Sequence, residues 1–409
     1  TECLLAEVGV FYHEVGHLLG LVNKGLDISF DQQIDGQRLA VSDFFAGLGM
    51  ERAEAEGARR KKKAWLVLSL AVNLGLLGTF KYANFFYESA VVAANVFGAE
   101  WTFERLNILL PAGISFYTFQ TMSYSIDVYR GLLKPEQSFL KFAFFVGYFP
   151  QLVAGPIVRA VDFLDQVGRR PYLSEGQASR AMWLIGIGLF KKVVIADYIA
   201  INLVDRVFDA PERYTGLEVL IGLYGYTMQV YMDFSAYSDI AIGSALLFGF
   251  HLPDNFDRPY MATSIADFWR RWHMTLGSWL RDYLYYPLGG SRKGAWRTYY
   301  NLFITFVLIG LWHGASWTFV VYGCLHATAM CINRYWRVNV MDRQKGGHGV
   351  WGTVWRVALT LNFVVLARVL FRSQTFDQAG EVIGSLFQGG LHVGHLDGRI
   401  LLLLAGCFL

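Results

Sequence analysis

The chain has 409 residues and a net charge of +3, with 54% hydrophobic, 16% aromatic and only 17% charged residues, where soluble domains carry roughly 25% charged residues. That composition excludes an ordinary soluble enzyme. The basic residues lie in short loops between apolar segments, which also argues against nucleic acid as a partner. Apolar runs near the ~20 residues needed to cross a bilayer core recur along most of the chain. The expected fold class is therefore all-α, a polytopic transmembrane helical bundle, with 22 Tyr and 12 Trp suited to interfacial belts.

Residues 1–57 differ in character from the rest of the chain. They contain HEVGH at 13–17, similar to the zinc-peptidase signature in which two histidines one helical turn apart, here His13 and His17, hold the metal and Glu14 serves as base. The third ligand of the extended signature falls on Asn23, and the segment is short for a peptidase domain. The alternative is an amphipathic leader. The four cysteines, Cys3, Cys324, Cys331 and Cys407, show neither a disulfide framework nor metal spacing. The chain starts at Thr1 and stops at Leu409 within an apolar run, so it reads as a fragment: an atypical leader at 1–57 and a membrane core at 58–409 truncated at its C-terminus.

The basic run Arg59, Arg60, Lys61, Lys62 and Lys63 precedes the apolar stretch 64–80 and is expected to stay cytoplasmic. Further spans are expected at 108–128, where Pro111 and Gly113 indicate a broken entry, and at 139–158, which Pro150 and Pro156 interrupt. The stretch 181–204 carries Lys191 and Lys192 near its middle; the reading preferred here is that they snorkel to an interface, the other that they line an anionic cavity. The stretch 217–250 would be about 50 Å long as one helix and is expected to be two segments. Within it, Asp233 and Asp239 are carboxylates in an apolar context, suited either to interhelical hydrogen bonding or to a site. Residues 255–293, rich in Trp, Tyr, Arg and Asp, read as an interfacial or re-entrant helical segment holding His273.

No Asp, Glu, Lys or Arg occurs at 301–333, and His313 stands at the middle of the apolar stretch 303–323. An ionisable group at membrane depth is costly and faces a bundle interior or wet cavity, which marks His313 as functional; the competing reading is interhelical packing. If the re-entrant segment packs on this span, His273 and His313, 40 positions apart, line one cavity. Neutral imidazole is then placed to take a proton from a hydroxyl attacking an activated carbonyl. A last complete span is expected at 354–371. A transporter would also break helices at the midplane, but it would do so in two related halves, which this sequence lacks.

Six stretches, FKYANFF (80–86), LPAGISFYTFQ (110–120), FPQLVAGPIVR (149–159), DFSAYSDIAIG (233–243), FWRRWHMTLGSWLRDYLYYPLGG (268–290) and GLWHGASW (310–317), resemble in order the membrane-bound O-acyltransferase family. Within it, they are most similar to the bacterial membrane subunits of alginate O-acetylation. The resemblance implies re-entrant helices around a central tunnel in the bacterial cytoplasmic membrane. It implies His313 as the essential histidine, His273 at the second polar position of the active site, and Asp233, Asp239, Trp312, Arg270 and Arg271 as substrate-binding candidates. It further implies no bound cofactor, an acyl donor such as acetyl-coenzyme A or another acyl thioester arriving from the cytoplasm, and a polysaccharide acceptor outside. An extracytoplasmic acetyltransferase is the expected partner besides the lipid bilayer. D-alanyl transfer to teichoic acid from a carrier-protein thioester is the close rival, and a zinc peptidase at His13, Glu14 and His17 the distant one. The chain departs from the family pattern in its leader and at Arg368, where an aromatic residue is expected. The glycines around Gly310 and Gly314 are expected to let the backbone approach the acyl group.

Overall fold

The computed structural model describes residues 26–111, 113–152, 155–340, 349–390 and 392–408, with side chains from Ala40 onward. His13, Glu14 and His17 lie outside the described residues. Helices account for every regular element described, and no strand occurs among the described residues. The described residues fall into two compact units, divided between Tyr172 and Leu173.

The first unit contains α1 (Leu26–Ala55), α2 (Arg59–Leu77), a π-helical turn at Gly78–Tyr82, α3 (Ala83–Val96), α4 (Ile114–Arg130), α5 (Phe139–Val146) and α6 (Ala160–Val167). The buried Asp43 on α1 binds it to two other helices. Asn73 on α2 donates to its carboxylate at 2.7 Å, Ser125 on α4 at 3.1 Å, and Ser69 on α2 donates as well. Thr121 extends the network by donating to Asn73 Oδ1 at 2.7 Å. A carboxylate is tolerated away from water only when its lone pairs are met in this way. Around the network pack Phe142, Phe145, Phe163 and Tyr124, all buried. Ala40, Asp43, Phe44, Ala46, Met50 and Ala53 on α1 are buried in the first unit, and a turn at 56–58 leads to α2. That turn also engages the basic run, since Lys61 pairs with Glu56 at 2.9 Å and Lys62 with Glu54 at 2.8 Å.

In the second unit, α7 (Glu175–Leu189) starts at a capping box between Ser174 and Gln177 and runs into π-helical turns at Phe190–Ala196 and Ala200–Val204. It lies antiparallel to α8 (Gly216–Leu247): Ala181 O faces Gly243, and Lys192 faces Asp233. α8 is one continuous helix of 32 residues, not two segments. A capping box between Thr215 and Glu218 starts it, no proline interrupts it, and its mid-helix carboxylates find partners in the π-helical turn that follows α7, so nothing forces a break. At its start, buried Glu218 also accepts from the backbone N–H groups of Gly394 and His395, at 2.9 and 2.7 Å, anchoring the C-terminal loop.

Short helices α9 (Ile265–Arg271) and α10 (Met274–Leu280) follow, then α11 (Ala295–His313), α12 (Trp317–Asn339), α13 (Val350–Arg372), α14 (Phe376–Ser385) and α15 (Gly398–Phe408). Among the described residues, two helical stretches, 59–96 and 350–372, are long and apolar enough to cross a membrane, with mean hydropathy 1.5 and 1.7. Their large side chains face outward, Val96 being 78% and Trp351 84% exposed. In water such faces would aggregate, whereas lipid solvates them. α4, at 17 residues, is shorter and buries polar side chains, Ser125 and Thr121 among them, against neighbouring helices.

Candidate functional site

His313 is the last residue of α11, and the backbone at Gly314 is extended before α12 begins at Trp317. The apolar stretch 303–323 is therefore a helical hairpin with the imidazole at its turn, where the sequence pattern had placed it mid-span. Hydropathy registers apolar length and is blind to a reversal of direction between two equally apolar helices. Small residues decide the reversal. A Cβ on Gly323 would stand 2.7 Å from Phe306 O and 3.1 Å from the Cα atoms of Gly310 and Val307; one on Gly310 would collide with Phe319 O. These are backbone contacts, so helix packing requires glycine at both positions. Gly310 thus admits α12, not an acyl group, and Gly314 lies under the Phe319 ring. Gly323→Val is expected to push the two helices apart and cost about 1–3 kcal/mol, visible as a lower melting midpoint of the purified chain in mild detergent; an unchanged midpoint would contradict the close crossing.

His273 reaches the same place from a different element. Residues 265–280 would run as one helix, but Trp272 is extended and His273 takes a left-handed conformation, φ 46°, between α9 and α10. That conformation is strained for a residue with a Cβ and costs on the order of 1 kcal/mol. Asn255 holds the turn: its carbonyl accepts from Met274 N at 2.9 Å and its side-chain oxygen from Thr275 Oγ1 at 3.0 Å. The break drives His273 inward to 1% exposure against Phe234, with ring centroids 4.8 Å apart, and neither ring nitrogen meets a hydrogen-bond partner among the described residues.

Both imidazoles pack on Trp312, its ring centroid 5.9 Å from His273 and 5.0 Å from His313. The half-buried His313 ring also packs edge-on to Phe371 at 5.2 Å. Three of the residues singled out in the sequence, His273, Trp312 and His313, therefore converge. The four charged candidates are held in ion pairs. Asp239 pairs with Lys191 at 2.6 Å, and Asp233 with Lys192 at 2.7 Å, while Lys192 also meets Asp197 at 3.0 Å. The lysines are thus held in ion pairs inside the unit; the expectation that they snorkel failed because π-helical winding turns both toward α8. Arg270 pairs with Asp267 at 3.2 Å, and Arg271 with Asp267 at 3.2 Å and Asp257 at 3.6 Å.

Sequence reading missed two residues beside the site. His326 lies in the same charge-free stretch as His313, and the argument about ionisable groups in apolar runs applied equally to it. It is 1% exposed and accepts a hydrogen bond at Nδ1 from Trp269 Nε1 at 3.1 Å. Arg368, noted only as a departure, is 3% exposed; it donates to Thr227 O at 2.8 Å and Tyr260 Oη at 2.6 Å, and its guanidinium lies 4.6 Å from the Trp272 ring centroid. It ties α13 to α8 and to the aromatic cluster of Trp272, Phe268, Ile265 and Ala262 behind His273. No group of three or more His, Cys, Asp or Glu side chains able to hold a metal occurs among the described residues.

Residues 135–372 match the membrane-bound O-acyltransferase family. Over 341 residues the chain is 42% identical to the "Probable alginate O-acetylase AlgI" of Pseudomonas putida, covering 82% of this chain and 67% of that protein. Similarity to the peptidoglycan O-acetyltransferase of Helicobacter pylori is 36% over 386 residues, covering 87% and 70%. The teichoic acid D-alanyltransferase of Bacillus subtilis is 29% identical over 285 residues, covering 66% and 70%. The chain spans about two thirds of the length of these relatives. With the match covering more than half of its residues and including both converging imidazoles, the chain belongs to the membrane-bound O-acyltransferase family.

Proposed function

We propose that this protein moves an acetyl group from a cytoplasmic thioester, acetyl-coenzyme A or another acyl thioester, toward hydroxyls of an exported, alginate-like polysaccharide. The observation carrying this reading is the convergence of His273 and His313 on the Trp312 ring. His313, acting in its neutral form, is the general base. It takes the hydroxyl proton as the oxygen attacks the thioester carbon; the new C–O bond forms while the carbonyl electrons move to oxygen. Collapse of that oxyanion re-forms the carbonyl and breaks the C–S bond. The departing thiolate receives the proton from the His313 imidazolium, so alcohol plus thioester become ester plus thiol. His273, with both ring nitrogens available, positions or polarises the donor or the acceptor.

In this reading the protein is multi-pass in the bacterial cytoplasmic membrane, its tunnel joins a cytoplasmic donor to an outer acceptor, and an extracytoplasmic acetyltransferase is the partner that can complete transfer to the glycan. The donor enters as a co-substrate and no resident cofactor takes part. Greater identity to the O-acetylating relatives than to the D-alanyltransferase, 42% and 36% against 29%, supports acetyl over D-alanyl. The test expresses the protein in cells lacking their own transferase and measures ester-bound acetate and ester-bound D-alanine on exported polymers. Acetate above the vector control is expected; D-alanine without acetate would replace this reading by its rival.

A further inference from the structure

We infer that His326 supplies a hydrogen bond to the acyl carbonyl oxygen, an inference that deepens the acyl-transfer reading and rests on it. Trp269 Nε1–H has only a donor to offer, and it points at His326 Nδ1 from 3.1 Å. An imidazole that accepts at Nδ1 is neutral and carries its proton on Nε2. The tautomer is thereby fixed by a neighbour, without any charge. That Nε2–H is buried and meets no hydrogen-bond partner among the described residues. A buried donor left in this state is unfavourable enough that native structures rarely keep one without a ligand, water or strain to explain it.

The surroundings indicate what such a donor would meet. Tyr322 packs against the imidazole at 4.5 Å and Phe363 at 5.2 Å between ring centroids. From Tyr322 the aromatic wall continues to Phe371 at 5.3 Å and from Phe371 to His313 at 5.2 Å. That wall runs from His326 through Tyr322 and Phe371 to His313. An apolar wall with one fixed, uncharged N–H near the base suits a small acyl group whose carbonyl oxygen gains negative charge during attack. A donor that is already oriented favours that oxyanion over the ground-state carbonyl. No proton moves to or from His326 in the cycle, because its Nδ1 remains bound to Trp269 while His313 carries the proton. An N–H turned toward the Tyr322 ring is the competing, purely structural use, and such contacts are weak.

The experiment compares His326→Gln, whose amide N–H falls near the position of Nε2, with His326→Asn, whose amide lies nearer Nδ1, at equal membrane abundance. Both are polar and smaller than histidine, so a difference between them reports donor placement and not bulk. The expected result is a kcat for His326→Asn about 10²–10³-fold below wild type, with the KM for acetyl-coenzyme A within about threefold and at least a tenfold recovery in His326→Gln. A binding measurement accompanies it: the ketone analogue of acetyl-coenzyme A, with methylene in place of the thioester sulfur, should raise the melting midpoint of wild type more than S-propyl-coenzyme A, which has no carbonyl. In His326→Asn that difference should vanish. Equal kcat in the two variants, or a carbonyl preference that survives in His326→Asn, overturns the inference while leaving acyl transfer intact. Wild type that transfers no acetyl overturns both.

Discussion

Replacing His313 by alanine is expected to lower acetyl transfer by about 10²–10⁴-fold, with the protein still folded and inserted. The imidazole stands at the end of α11, half-buried, edge-on to Phe371 and beside its own neighbour Trp312. The hairpin itself is held by the backbone approach at Gly310 and Gly323, which does not involve this side chain. Truncation therefore removes a proton acceptor and leaves that backbone crossing intact. Initial rates of acetyl transfer, normalised to protein in the membrane, are the measurement. A rate within threefold of wild type would return His313 to a packing role. His273→Ala belongs in the same series: a residue that positions the donor raises KM more than it lowers kcat, whereas one that polarises the reacting carbonyl does the reverse.

Lys192→Met is expected to destabilise the protein by about 3 kcal/mol, in the range for removing one partner of a buried ion pair. Lys192 is buried and stands between Asp233 at 2.7 Å and Asp197 at 3.0 Å. Without the ammonium, Asp233 and Asp197 both lose the cation that bridges them, and their negative charges are left to repel in a largely buried place. Replacing all three residues together, as Lys192→Met, Asp197→Leu and Asp233→Leu, should recover most of the loss, because the dominant cost is the uncompensated charge and not the missing attraction. Thermal or denaturant unfolding in mild detergent tests both. If the single and triple variants are equally unstable, the network is valued for its shape or for a ligand. Lys191 and Asp239 form a separate pair at 2.6 Å, so their variants should behave independently of the triple.

Much of this protein was legible before any coordinates. The charge-free stretch around His313, the Trp- and Arg-rich segment around His273 and the ordered motifs along the chain gave the helical class and the two imidazoles, because burial in an apolar medium leaves a direct mark on composition. Pairing was far less legible. Asp233 and Asp239 stood out as polar residues in an apolar run, yet nothing local revealed that consecutive lysines 41 and 48 positions earlier would take them. Arg368 read as a departure from a pattern until Thr227, Tyr260 and Trp272 were found around it.

The sequence by itself determined the solvent this chain is made for and the residue types available for proton transfer, since both depend on local composition. Only the tertiary structure decided that His313 sits at the turn of a hairpin, that 216–247 is a single helix, and that His273 is turned inward at φ 46°. Those outcomes depend on contacts between residues far apart in the chain: a glycine accepted against another helix's backbone, a carboxylate met by a distant lysine, a strained turn pinned by Asn255. The energies that choose among them arise only when the helices are already packed.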